Sequence, residues 1–162
     1  MTEEDKNPQA ASGQQAGRQV LLQKMYVKDA SVEVPDGPAI FQTQFRPKLD
    51  VDLNTHVSDL GDDSHQVTLT VTLTAYKEEQ TAYIVEVQHA GVFKVTGFEG
   101  EQHSQVLGAY CPSLVFPFTR EVVGDLVQRA GFPHFLLQPV NFDALYLQHR
   151  QKEQQGGGQA QH

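Results

Sequence analysis

The sequence reads as an α+β domain in which four antiparallel strands come first and two helices follow. Three observations predict this. The run Val67–Ala75 alternates strictly, with Val67, Leu69, Val71, Leu73 and Ala75 on one side and Thr68, Thr70, Thr72 and Thr74 on the other. That is the period-two pattern of a strand with one buried and one wetted face. From Glu101 to Ala130 the apolar spacing becomes helical, and Gly131, with Pro133 just beyond, supplies a stop. Short turn-forming clusters separate most of the apolar runs in the first half, which favours antiparallel pairing.

Residues 1–18 are rich in Glu, Gln, Asn, Gly and Ala without periodicity and are expected to be disordered, leaving one domain over 19–150. In the first strand Tyr26, Lys28, Ala30, Val32 and Val34 alternate with Val27, Asp29, Ser31 and Glu33. Pro35-Asp36-Gly37-Pro38 opens a connection, 35–48, long enough to cross over the sheet. In the second strand Leu49, Val51 and Leu53 alternate with Asp50, Asp52 and Asn54. Gly61-Asp62-Asp63 and Lys77-Glu78-Glu79 bracket the third strand, and the fourth, Thr81–Thr96, is long and β-branched.

Pro112 and Pro117 are expected to kink or restart the long helix. After Pro117, Phe118, Val122 and Leu126 form one apolar stripe, while Val123 and Val127 lie about 100° around the axis. One sheet face cannot cover both. The second stripe packs either on the last helix or on another subunit, and the latter is the favoured reading. Asn141 is placed to cap a last helix from Phe142 to about Arg150, with Asp143 in its first turn. Residues 151–162, rich in Gly and Gln, read as a flexible tail.

The 162 residues carry a formal net charge of -8, which disfavours nucleic-acid phosphates and anionic lipid and suits a basic partner. A single cysteine, Cys111, permits no internal disulfide and fits a reducing cytosol. The start, Met1-Thr2-Glu3-Glu4-Asp5, lacks the apolar core of a signal peptide, and no apolar stretch approaches the ~18–20 residues of a membrane helix. A cytoplasmic protein with no membrane insertion is expected. Enzyme chemistry finds little support. The seven histidines form no i, i+4 pair and no HExxH, Cys111 precedes Pro112 in an apolar context, and Gly97-Phe98-Glu99-Gly100 lacks the lysine of a phosphate loop. No catalytic group, metal or cofactor is expected.

Five segments in order resemble the SecB family of export chaperones. They are Met25-Tyr26-Val27-Lys28-Asp29; Glu86-Val87-Gln88 with Gly91 and Phe93; Leu107-Gly108-Ala109-Tyr110-Cys111-Pro112; Leu114-Val115-Phe116-Pro117; and Pro139-Val140-Asn141-Phe142-Asp143-Ala144-Leu145. The resemblance implies a homotetramer, a dimer of dimers joined through the sheets and the long helix. It also implies a holdase that binds unfolded precursor proteins without ATP and passes them to the motor ATPase SecA.

Phe41 and Phe45 in the long connection, and Phe132 and Phe135 between the helices, are apolar residues in loops. They either plug the core or, as the resemblance implies, line a client groove. Phe45 stands where the family often has Trp. Asp29, Glu33, Ile84 and Glu86 read by themselves as a solvated sheet face; the resemblance implies a face that docks SecA. The Gly- and Gln-rich tail departs from the family's second SecA contact. For Val85, Val87 and His89 on the fourth strand the resemblance implies a place at a subunit interface, the alternative being intrachain core; Val122 and Leu126 of the helix stripe are expected at such an interface too. Two rival functions are a relative serving a single antitoxin and a small α+β ligand carrier with the aromatic loops closing a pocket.

Overall fold

The computed structural model describes residues 17–156. Four strands, β1 (Gln19–Glu33), β2 (Lys48–Gly61), β3 (Ser64–Lys77) and β4 (Gln80–Thr96), form one antiparallel sheet in the order β1-β4-β3-β2. The β2–β3 hairpin turns through Asp62 and Asp63, both at positive φ, and the β3–β4 hairpin through Glu78, also at positive φ. Each strand is longer than the clear alternation indicated, because the ends carry mixed polar residues that still pair.

Cross-strand partners share a face, so the register divides the sheet. Val67, Leu69, Val71, Leu73 and Ala75 of β3 lie beside Val85, Val87, His89, Phe93 and Val95 of β4, all buried. This core face is covered by α2 (Cys111–Arg129), which presents Val115, Thr119, Val123 and Val127 with no solvent exposure. The threonines of β3 face the other way, on the open face.

Three expectations are changed or sharpened. First, β1 does not alternate simply. Bulges at Leu22/Lys24 and Val27/Asp29 each insert an extra residue, so Tyr26 and Asp29 both reach the open face while Val27, Ala30 and Val32 pair on the core side. Second, the irregularity expected at the prolines takes the form of a π-helical turn just ahead of Pro112, and the helix does not stop at either proline. α1 (Gly100–Gln105) runs into a π-helical turn, Val106–Tyr110, and on into α2. Pro112 has no N–H to offer, and the wider turn, in which the Cys111 N–H reaches the Val106 carbonyl, absorbs the mismatch. Pro117 sits within α2. Third, Val85 and Val87 have no exposed surface in the single chain and His89 is buried with them. These three belong to the chain's own core rather than to a face open to a partner.

The outward stripe of α2 is different. Phe118 is 50% exposed, and Val122 and Leu126 are only partly covered. The last helix, α3 (Phe142–Gly156), packs on the π-helical turn. Asn141 caps it, its side chain accepting from the Ala144 N–H at 3.1 Å. α3 continues past Arg150 to Gly156, so the segment expected to be a tail from residue 151 is partly helical; residues 1–16 and 157–162 lie outside the described residues.

α2 ends in a Schellman cap. Gly131, at φ +92°, donates to the Gln128 carbonyl at 3.0 Å, and the Phe132 N–H donates to the Val127 carbonyl at 3.2 Å. The cap fixes where Phe132 emerges.

Two outcomes follow from these local structures. Gly131→Ala should destabilise the fold by about 1–2 kcal/mol in urea unfolding, because its backbone is left-handed and a Cβ there would meet the Phe41 ring at 3.1 Å. His89 has an enclosed Nδ1 without a partner among the described residues, and burial lowers its pKa from 6.5. The unfolded chain therefore binds a proton more readily, so this contribution to stability is full above pH ~6.5 and is lost as pH falls through the lowered native value. Thermal unfolding followed from pH ~7.5 to ~5 should show that loss, and His89→Gln should flatten it.

Candidate functional site

β1 and β2 occupy opposite edges of the sheet, so the connection between them must cross β4 and β3. It does so on the core side. A short 3-10 turn, Ala39–Gln42, buries Ile40 and leaves Phe41 49% exposed. The Lys77 ammonium donates to the Thr43 hydroxyl, tying the crossing segment to the end of β3.

Phe132, carried in by the Schellman cap, meets that segment. Its ring centroid lies 5.0 Å from Phe41, 5.0 Å from Phe45 and 4.6 Å from Tyr83, and Phe45 lies 6.3 Å from Tyr83. These are tilted contacts at favourable separations. Phe132 and Tyr83 are buried, Phe45 is half-buried, and Phe41 is open to solvent. The inner rings therefore close the end of the core, and Phe41 presents apolar surface to solvent.

Phe135 stands apart from this cluster. With Val51, Leu53, Phe116, Leu137, Pro139 and Val140 it lines an apolar cleft of about 270 Å³ between β2 and the segment joining α2 to α3. That segment is fastened by the buried Leu137, whose carbonyl accepts from Arg120 at 3.4 Å. Gly124 lets it lie close on α2, since a Cβ there would come within 2.6 Å of the His134 ring. The aromatic cluster and this cleft together give two apolar surfaces flanking one connecting segment.

Tyr83 is the member that the sequence reading missed. Its place at the start of β4, in register with Ala75 on the core face, was the available signal.

On the open face, Asp29 pairs with Gln88 and Glu33 with Ile84, while Glu86 pairs with Thr72 and Ser31. Asp29, Glu33, Ile84 and Glu86 thus share one surface. Asp29 and Glu33 are exposed; Glu86 is half-buried and accepts from the Thr72 hydroxyl at 3.2 Å. Asp50 and Asp52 of β2 lie on the same rows, opposite Thr74 and Thr72. Like charges gathered on one face repel, and an incoming cationic surface relieves the repulsion.

Elsewhere, a cleft of about 490 Å³ is lined by Arg18, Val20, Phe98, Gln102, Gln105, Val106, Tyr110 and Asp143 and holds none of the expected residues. Cys111 is fully buried, and desolvation pushes its thiol up to about 12, the opposite of an activated nucleophile. Among the described residues no three His, Cys, Asp or Glu side chains gather as a metal site would need, and no helix is long and apolar enough to cross a membrane.

The family described as preprotein translocase subunit SecB matches residues 13–153. The Protein-export protein SecB of Marinobacter nauticus is 44% identical over 95% of this chain and 94% of its own length. That of Alcanivorax borkumensis is 50% identical over 82% and 87%. A solved SecB-like chaperone of Mycobacterium tuberculosis, in complex with a peptide from an antitoxin, superposes with a TM-score of 0.61 at 16% identity, covering 75% of this chain and 90% of that one, a likeness of fold. By family match and identity together, the chain belongs to the SecB family, chaperones of protein export and not enzymes.

Proposed function

We propose that this chain is a cytoplasmic, ATP-independent holdase that captures unfolded precursor proteins on its aromatic groove and delivers them to SecA. The observation that carries the reading is the cluster of Phe41, Phe45, Phe132 and Tyr83, with the neighbouring Phe135 cleft. A holdase must bind many sequences, and apolar rings on a fixed scaffold accept any apolar side chain. Capture is then an equilibrium between groove and solvent, so no covalent step is required. Relatives 44–50% identical over most of the chain favour the export role over service to a single antitoxin.

Delivery is assigned to the open face. Asp29, Glu33, Ile84 and Glu86 would receive a basic surface of SecA, the carboxylates giving charge complementarity and Ile84 an apolar contact. The groove residues lie on the core side, so client and motor can be held together on opposite faces. Assembly as a dimer of dimers would cover the uncovered stripe of Phe118, Val122 and Leu126 and the exposed apolar residues of β1.

Two variants separate the two faces. Phe45→Ala should weaken binding of an unfolded client about tenfold, with unchanged assembly mass by light scattering; unchanged affinity would remove the groove assignment. Asp29→Lys with Glu33→Lys should weaken SecA binding about tenfold in calorimetry, more so at low salt, and leave client affinity alone. Equal SecA affinity would remove the docking face.

A further inference from the structure

Tyr83 raises a question that its apolar neighbours do not. Its side chain is only 2% exposed, and its ring forms the floor of the aromatic cluster, 4.6 Å from Phe132. A phenylalanine would fill that place without a polar atom to satisfy. Two of the other four tyrosine hydroxyls find partners within the chain: Tyr26 donates to Gln66 at 2.6 Å and Tyr146 to Glu101 at 2.9 Å. The Tyr83 hydroxyl makes no hydrogen bond among the described residues. It is also absent from the sealed, partnerless polar atoms, which among the described residues are His65 Nδ1 and His89 Nδ1. The small part of Tyr83 that remains accessible therefore includes the hydroxyl.

A hydroxyl at the edge of an apolar site, with no partner among the described residues, is left to water or to a bound group. Burial also raises the phenol's pKa, so it stays protonated and able to donate. We infer that the Tyr83 hydroxyl is a client-binding group, donating a hydrogen bond to a main-chain carbonyl of an extended apolar segment whose side chains rest on Phe41 and Phe45. The inference rests on the reading of the aromatic groove as the client site. A main-chain carbonyl is the acceptor that every polypeptide carries at every residue, whatever its sequence. In a native protein those carbonyls are already paired, and in an unfolded one they are free. Tyr83 would thus add to the groove what the phenylalanines lack, a test of whether the backbone is folded.

The experiment titrates wild type, Tyr83→Phe and Phe41→Ala, as full chains, with a fluorescein-labelled unstructured peptide rich in Leu, Phe and Lys. Tyr83→Phe keeps the ring and its packing, so its assembly mass and melting temperature should match or exceed those of the wild type. Its affinity should fall about fivefold, as expected for one lost neutral hydrogen bond, mostly through faster dissociation. Phe41→Ala should also bind more weakly. Unchanged affinity in Tyr83→Phe beside weakened binding in Phe41→Ala overturns the role of the hydroxyl and leaves the groove standing. Unchanged affinity in both overturns the groove reading and this inference with it.

Discussion

The strand order imposes the feature on which the groove depends. With β1 and β2 at opposite edges, the chain between them has to pass over the two central strands. The core face under that passage is already sealed by α2 along most of its length, so the crossing segment packs at the end where α2 stops. Where it stops is set by Gly131, and the Schellman cap turns Phe132 inward to meet Phe41 and Phe45. Sheet topology and helix termination therefore act together: the first brings Phe41 and Phe45 from the first third of the chain, the second brings Phe132 from near its end. The resulting surface is rigid below, on Tyr83 and Phe132, and open above, on Phe41.

Separation of faces is the second consequence. Period-two alternation in β3 and β4 sends valines and leucines under α2 and sends Thr, Glu and Gln to the open side. The bulges in β1 matter here. Without the extra residue at Lys28, Tyr26 and Asp29 would lie on opposite faces; with it, both join the open face. The net charge of -8 is thus expressed in part as carboxylates on the open sheet face, away from the aromatic cluster. A chaperone that must hold one partner and be held by another benefits from such a division, since neither contact competes with the other for area.

Much of this was legible in the sequence where a single period governed a long run. β3 was clear because its alternation is unbroken, and the α2 stop was clear because Gly131 and Pro133 fall together. The face of Val85, Val87 and His89 could be read, but which neighbour covers it could not. Alternation shows that a side is buried, and whether α2 or a second subunit buries it is a long-range fact. The parity of β1 is not legible, because a bulge leaves no residue-type signature in a strand of mixed composition. The π-helical turn escaped because Pro112 signals strain in the backbone without saying how the strain is absorbed. In the sequence Tyr83 is one aromatic in a long strand, with nothing to set it apart. Its role emerges only when the crossing segment and the end of α2 are seen to converge on the start of β4.

The claim at the centre of this account is that the groove distinguishes an unfolded chain from a folded one. Size-exclusion chromatography with light scattering tests it most directly, with one client protein presented first denatured and diluted, then native. The account predicts co-elution of the denatured form only, on a particle near four chains in mass. Equal retention of both forms, or of neither, would contradict it.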